Sequence, residues 1–442
     1  MLGSGFAESS LRQAMAWSPD FIGVDAGSTD GGPSYLASGT SMFGEGSTTR
    51  DLEMLLRAAQ DAGVPLVIGS AGTGGGDRNL VWTRERLGEA ARRVGKPFRL
   101  ATIASQQDAR EVARALREGR VRALPGAPDV QPEDVESCDT VVAMMGAEPI
   151  AEALAAGADV VLCGRASDAA VFAALPLARG VDAGAAWHAA KVLECGAAAV
   201  TQRAHPDGMF AWLEADGFVV APPNPAFRCT PQSVAAHSLY ENADPFWLRE
   251  PSGTLDLTGA RYEAVDERSV RVMGTRFEPA ETYTVKLEGT RLRGHRSMVA
   301  GAIRDPYVLA QLDDWLAGVR EEGTRRLDQS FAGVPYDLVV RQYGRRGVLG
   351  AREPVVEPSH EVLVVFELTA SEQGIAHAMA DDVRHIALHH PIPEWHGLIT
   401  VLAHAHSPAV IDLGPVHEFA LNHVLETDAH APFRTHIETV RP

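Results

Sequence analysis

The chain has only four cysteines in 442 residues: Cys138, Cys163, Cys195 and Cys229. None stands in a Cys-x-x-Cys pair, which argues against a zinc ribbon or a thioredoxin-type motif. A disulfide framework is not expected at this size and spacing, and a reducing cytoplasm is the expected location. Long apolar runs are missing too. No segment approaches the ~18 uninterrupted apolar residues of a membrane-spanning helix. The opening Met1-Leu-Gly-Ser-Gly-Phe6 has no basic stretch ahead of an apolar one, so no signal peptide is expected. Basic residues are outnumbered, 40 Lys and Arg against 58 Asp and Glu, for a formal charge of −18. That balance argues against duplex nucleic acid or a membrane surface as partner, although a local arginine cluster can still hold a small anion. No Walker A sequence, dinucleotide fingerprint, pyridoxal phosphate signature or Gly-x-Ser-x-Gly elbow is present.

What is present is the composition of a globular protein, 45% hydrophobic and 22% charged. The first half alternates short apolar runs with longer helical patterns. Strands are expected at 21–24, 66–68, 99–103, 140–144 and 160–163, with helices at 49–62, 84–94, 109–118 and 149–156 between them. This is the rhythm of a parallel sheet. Ser47–Asp51 and Thr83–Arg86 read as helix caps, and Gly63, Gly95 and Gly157 as helix ends. From about Gly208 the rhythm changes, and Pro222-Pro-Asn-Pro225 marks a boundary or rigid loop. Short strands at 269–272, 282–287, 338–341 and 361–368 surround a helix at 306–319. The expected fold class is therefore α/β: a parallel β/α domain over 1–207, then a mixed α+β domain over 208–442.

Each strand of the first half runs into polar residues. Asp25-Ala-Gly-Ser28-Thr-Asp30 follows the first, and Gly69-Ser70-Ala-Gly72-Thr-Gly74-Gly-Gly76 the second. Ser105-Gln-Gln-Asp108, Gly146-Ala-Glu148 and Gly164-Arg165-Ala-Ser167-Asp168 follow the others. In parallel sheets the carboxyl ends of strands are where ligands bind. Asp25, Ser28, Asp30, Glu148 and Asp168 are thus the candidate catalytic residues, and Ser70, Gly72, Gly74 and Arg165 candidate substrate contacts. The glycine loop reads equally as an anion cradle or a flexible loop. Ser105 and Ser167 read equally as helix caps. Lys286 and Arg345 add positive charge in the second half; alternation sends Lys286 and Glu288 to one strand face, where an interdomain salt bridge is the plain reading. Twelve of the sixteen histidines lie from His360 onward. His385 and His389 share a helix face, but a surface role outweighs a metal pair. An oxygen-rich site around Asp25, Asp30 or Asp168 would favour Mg²⁺ or Mn²⁺. The metal and the cofactor stay open.

Val24-Asp-Ala-Gly-Ser-Thr-Asp30 with Gly32-Pro33, Gly164-Arg-Ala-Ser-Asp168, and Ala235-Ala-His-Ser-Leu-Tyr-Glu241 together resemble the acyclic terpene utilisation (AtuA-like) family. So do Val285-Lys-Leu-Glu-Gly289, Ile303-Arg-Asp-Pro306, Tyr343-Gly-Arg345 and Gly414-Pro-Val416 with Asn422-His-Val424. The resemblance implies a cytoplasmic α/β enzyme of carboxylic-acid or acyl-CoA metabolism, acting on a small anionic substrate or CoA ester, and expected as a homo-oligomer. Many relatives carry or accompany a small ferredoxin-like module; this chain ends at Pro442 without room for one, which leaves a ferredoxin-like partner subunit open. Three readings follow. The first is a lyase or hydratase using carboxylate acid–base chemistry, with Arg165 on the substrate anion. The second is a nucleotide-dependent phosphotransfer protein, from the likeness of Ile22–Thr29 to a kinase phosphate loop. The third is a noncatalytic subunit of an acyl-CoA-processing complex.

Overall fold

The computed structural model describes residues 1–355, 357–394 and 400–442, and the chain forms two compact units. The first comprises Met1–Arg291 with Phe419–Pro442, the second Leu292–Glu418. The division expected after residue 207 falls inside the first unit. Helices and strands together give the α/β class.

The first unit is built on a five-stranded sheet in the order Ile22–Asp25, Leu66–Gly69, Val160–Cys163, Phe98–Ala104, Arg434–Val440. The first four strands are parallel and the last is antiparallel to its neighbour. Alternation explains the layers. Leu66, Ile68, Leu100, Val160 and Leu162 pack on one side, with Leu52, Leu56 and Leu87 of helices Glu45–Ala62 and Asp77–Val94. Val67, Ala101, Ile103, Val161 and Cys163 face the other side, with Ile150, Val171 and Trp187 of helices Glu148–Ala155, Ala170–Ala178 and Ala183–Leu193. Gly63 and Gly95 end their helices with φ of 70° and 78°.

Two expectations fail here. Strand Thr140–Ala143 does not join the parallel sheet. It pairs antiparallel with Leu287–Thr290 and with Gln106–Gln107, and it packs its apolar face on Val285 and Leu287. A short apolar run states burial, not the identity of its partner strand. The expected caps also shift: the first long helix starts at Glu45 behind Gly44, and Thr83 lies inside Asp77–Val94, its hydroxyl donating to the Asn79 carbonyl at 2.9 Å. A mid-helix hydroxyl satisfied by the preceding turn has the same local sequence as a cap.

In the second unit, His295–Ile303 pairs antiparallel with Val362–Ala370, which pairs with Tyr336–Tyr343. Helices Pro306–Ala310, Leu312–Ser330 and Gln373–His389 supply Val308, Trp315, Met379 and Val383 to a core with Val299, Val364 and Phe366.

Candidate functional site

Within the first unit, the carboxyl ends of three parallel strands converge around Arg165. This guanidinium is almost fully buried. Its Nε donates to Glu288 Oε2 at 2.8 Å, and its Nη1 donates to the Ala166 carbonyl at 2.7 Å, to Ser70 Oγ at 3.2 Å and to Asp168 Oδ1 at 3.4 Å. Nη2 has no hydrogen bond to the described residues. Glu288 also accepts from Thr29 Oγ1 at 2.7 Å and pairs with Lys286 Nζ at 2.7 Å. Lys286 and Glu288 thus do share a strand face, and their pairing is internal to this unit. A buried carboxylate with two cations and a hydroxyl around it is a satisfied one. Against the upward pull of burial, Arg165 and then Lys286 hold Glu288 at about 2. Burial disfavours the charged guanidinium, but Glu288 and Asp168 outweigh it and keep Arg165 protonated.

Two carboxyls at this edge behave differently. Asp25 ends its strand buried; Gly27 N–H donates to its Oδ1 at 3.1 Å, and Oδ2 has no partner among the described residues. Burial, then the charge of Asp168, pushes Asp25 well above the usual carboxylate range. Asp168 keeps 34% of its side-chain surface exposed. Burial raises it as well, but Arg165 opposes that rise.

The other expected residues fall around this pair. Asp30 is exposed and accepts from Ser28 Oγ at 2.8 Å, so that hydroxyl is engaged locally. Ser105 and Ser167 cap no helix: Ser105 Oγ donates to the Gly75 carbonyl at 3.0 Å, and Ser167 Oγ donates to Glu250 Oε2 at 2.7 Å. Glu148 opens helix Glu148–Ala155 and accepts from Tyr283 Oη at 2.8 Å. Ser70 has a φ of 45° and Thr73 one of 79°, backbone that non-glycine residues rarely adopt and that clusters at functional sites. The glycine loop between and beyond them is packed against protein. A Cβ on Gly74 would lie 2.6 Å from Leu36 Cα, and one on Gly75, at φ +70°, would lie 2.3 Å from the Arg165 nitrogen. The N–H groups of Ala71, Gly74, Gly75 and Gly76 all donate to protein acceptors. Gly72 and Gly74 therefore shape the wall behind Ser70 and Arg165. Arg345 belongs to the second unit, where both its terminal nitrogens bind Asp313, at 2.6 and 2.8 Å.

Sequence reasoning missed a second polar group beside Asp168. Lys191 and Glu194, both nearly buried, pair at 2.6 Å at the end of helix Ala183–Leu193. Burial raises Glu194 to about 7 despite Lys191, with Asp168 adding to the rise. Burial raises Glu250 to about 8, Glu194 and Asp168 contributing. The available signal was Lys191 itself, a lone charge in the apolar helix Ala-Gly-Ala-Ala-Trp-His-Ala-Ala-Lys-Val-Leu.

Asp25 and Glu194 also line a cavity of about 750 Å³, walled by Phe6, Leu11, Met15, Phe172, Phe210 and Trp212. Pockets of ~300–1,000 Å³ lined mainly by apolar side chains are typical small-molecule sites. Among the described residues, no group of three His, Cys, Asp or Glu side chains is arranged to hold a metal ion. The rings of His385 and His389 do meet, with centroids 5.4 Å apart. His396, one of the late histidines, lies outside the described residues.

The family model described as acyclic terpene utilisation family protein AtuA matches residues 38–410. It takes in Gly164–Asp168, Lys191, Glu250 and Glu288, and begins after the Asp25–Pro33 loop. No curated protein and no solved structure matches the chain. No helix among the described residues is long and apolar enough to cross a membrane.

Proposed function

The chain belongs to the acyclic terpene utilisation family, and from that membership and the strand-end carboxyls we propose that it is a lyase or hydratase acting on an acyl thioester or related carboxylic substrate. The observation that carries this reading is an interacting pair of strand-edge carboxyls, both raised by burial, of which only Asp168 has the Arg165 guanidinium bound to it. Burial and then Asp168 raise Asp25 well above the usual carboxylate range; burial raises Asp168 as well, but Arg165 opposes that rise. Two interacting carboxyls, one of them with a cation against it, can divide the roles of acid and base in one step.

In the hydration direction, Asp168 takes a proton from water as the oxygen bonds to the β-carbon of a conjugated acyl group. The electron pair of the double bond then takes the Asp25 proton at the α-carbon, and proton exchange between the two carboxyls resets the site. Elimination of water is the same path reversed. The acyl chain occupies the apolar cavity that Asp25 lines. The Arg165 Nη2 group, with Lys286 behind Glu288, supplies positive charge for the thioester carbonyl as it becomes a developing enolate oxygen. Arg165 is also a positioning residue, because it orients Asp168. The kinase-like reading loses its main support: helix Pro33–Ser38 stands where a phosphate-loop hairpin needs its second strand.

The test is turnover on a panel of α,β-unsaturated and 3-hydroxyacyl CoA esters. Asp25→Asn and Asp168→Asn are each expected to lower kcat by ~10²–10⁴-fold, the usual worth of a general acid or base, with folding intact. Full turnover by both variants on an accepted substrate contradicts the assignment.

A further inference from the structure

The cavity has a polarity of its own that does not depend on the reaction. Four charged side chains are buried in its wall, and all are acidic: Asp25, Asp51, Asp207 and Glu194. Its two arginines, Arg179 and Arg203, are exposed, and Arg179 pairs with Asp20. Asp51 and Asp207 are already committed. Asp51 accepts from Gly3 and Gly5 N–H and from Arg50, and Asp207 accepts from Ser10 Oγ, Asn224 Nδ2 and Gly208 N–H. Asp25 Oδ2 is not committed: it belongs to a side chain more than nine-tenths buried on the cavity wall and has no partner among the described residues. A carboxyl oxygen left without a protein partner on the wall of an apolar cavity is open to the head group of a ligand.

We propose that this cavity binds amphiphiles with an aliphatic chain and an uncharged oxygen head, received by Asp25 with Glu194, and that it discriminates against the same chain carrying a carboxylate. The apolar side chains Phe6, Leu11, Met15, Phe172, Phe210 and Trp212 take the chain. A hydroxyl or acyl carbonyl can exchange hydrogen bonds with a protonated carboxyl at no cost in charge. A carboxylate head would have to shed its water against a wall whose buried ionisable side chains, Asp25, Asp51, Asp207 and Glu194, are all acidic. An ammonium head would have to shed its water beside Asp25 and Glu194, whose charged forms burial disfavours.

Octan-1-ol, sodium octanoate and octylamine are suitable probes, read by tryptophan fluorescence and thermal shift. Trp212 lines the cavity, and its ring centroid lies 5.0 Å from that of Trp17, so filling the space reaches an intrinsic reporter. Octan-1-ol is expected to bind at least ~10-fold tighter than octanoate or octylamine at neutral pH, a difference of ~1.4 kcal/mol. Ala14→Phe, which fills the cavity from helix Glu8–Ala16, is expected to abolish binding without lowering Tm. Asp25→Asn keeps a neutral polar head site and is expected to retain octan-1-ol, whereas Asp25→Leu is expected to lose it and keep the fold. Equal or tighter binding of octanoate or octylamine, binding unaffected by Ala14→Phe, or no binding by any probe overturns the proposal. These outcomes are separate from turnover: a chain that selects octan-1-ol yet keeps full activity as Asp168→Asn refutes the acid–base assignment alone.

Discussion

Glu288 shows how a single residue organises this site. Its two oxygens tie together Arg165, Lys286 and Thr29, which come from three separate stretches of chain. Removing its charge leaves Arg165 buried without its principal counter-ion, and breaking a buried pair from one side costs ~3–5 kcal/mol. Glu288→Gln is therefore expected to lower stability by that amount in urea denaturation, and Glu288→Asp by less. By contrast, the Arg345–Asp313 pair has one exposed member, Asp313 at 59%, beside Arg345 at 8%, so Arg345→Ala is expected to cost less than Glu288→Gln in the same urea series. At this scale sequence reasoning reached Asp25, Arg165 and Asp168, because each is a polar residue directly after an apolar strand. It did not reach Glu194 and Glu250. Their importance comes from burial beside Asp168, and nothing within a few residues of either one encodes that neighbour.

The elements show what a turn residue is for. The glycine loop after Leu66–Gly69 looks in sequence like an anion cradle, yet its amides are mostly spent within the protein. What glycine supplies is close approach. Gly75→Ala would combine a left-handed φ of +70° with a Cβ 2.3 Å from the Arg165 backbone. Gly126 has a φ of +80°, but a methyl group added there would meet no neighbour within 4 Å. Left-handed backbone alone costs a non-glycine residue ~1–2 kcal/mol, so Gly126→Ala is expected to cost about that, and Gly75→Ala substantially more. Urea midpoints of the two variants check the contrast; equal losses would mean the loop can move away from Arg165. The strands themselves were legible, since four apolar runs at the expected places became one parallel sheet. Thr140–Ala143 was legible as a strand but not in its pairing, because strand partners are chosen by chain segments more than a hundred residues apart.

For the molecule as a whole, raised carboxyls make stability depend on pH in a defined direction. Glu250 moves from 4.5 to about 8 and Glu194 from 4.5 to about 7 on folding. Both bind their protons more tightly when folded, so the stability they contribute is complete below 4.5 and is lost as pH rises through about 7 and 8. Glu288, lowered to about 2, acts in the opposite sense: its contribution is present above 4.5 and is lost as pH falls through about 2. Glu250→Gln is expected to flatten the decline in the urea midpoint between pH 4.5 and 8; an unchanged slope would show that Glu250 ionises freely in the folded protein. The same logic singles out Asp25, on which the account of the site turns. Carboxyl carbon-13 NMR of aspartate-labelled protein, with Asp25 assigned by its absence in Asp25→Asn, follows that one proton directly. The expected result is titration well above the ordinary aspartate value of ~3.9, moving down in Asp168→Asn; titration of Asp25 in the ordinary range, unmoved by Asp168→Asn, would contradict the acid–base pair.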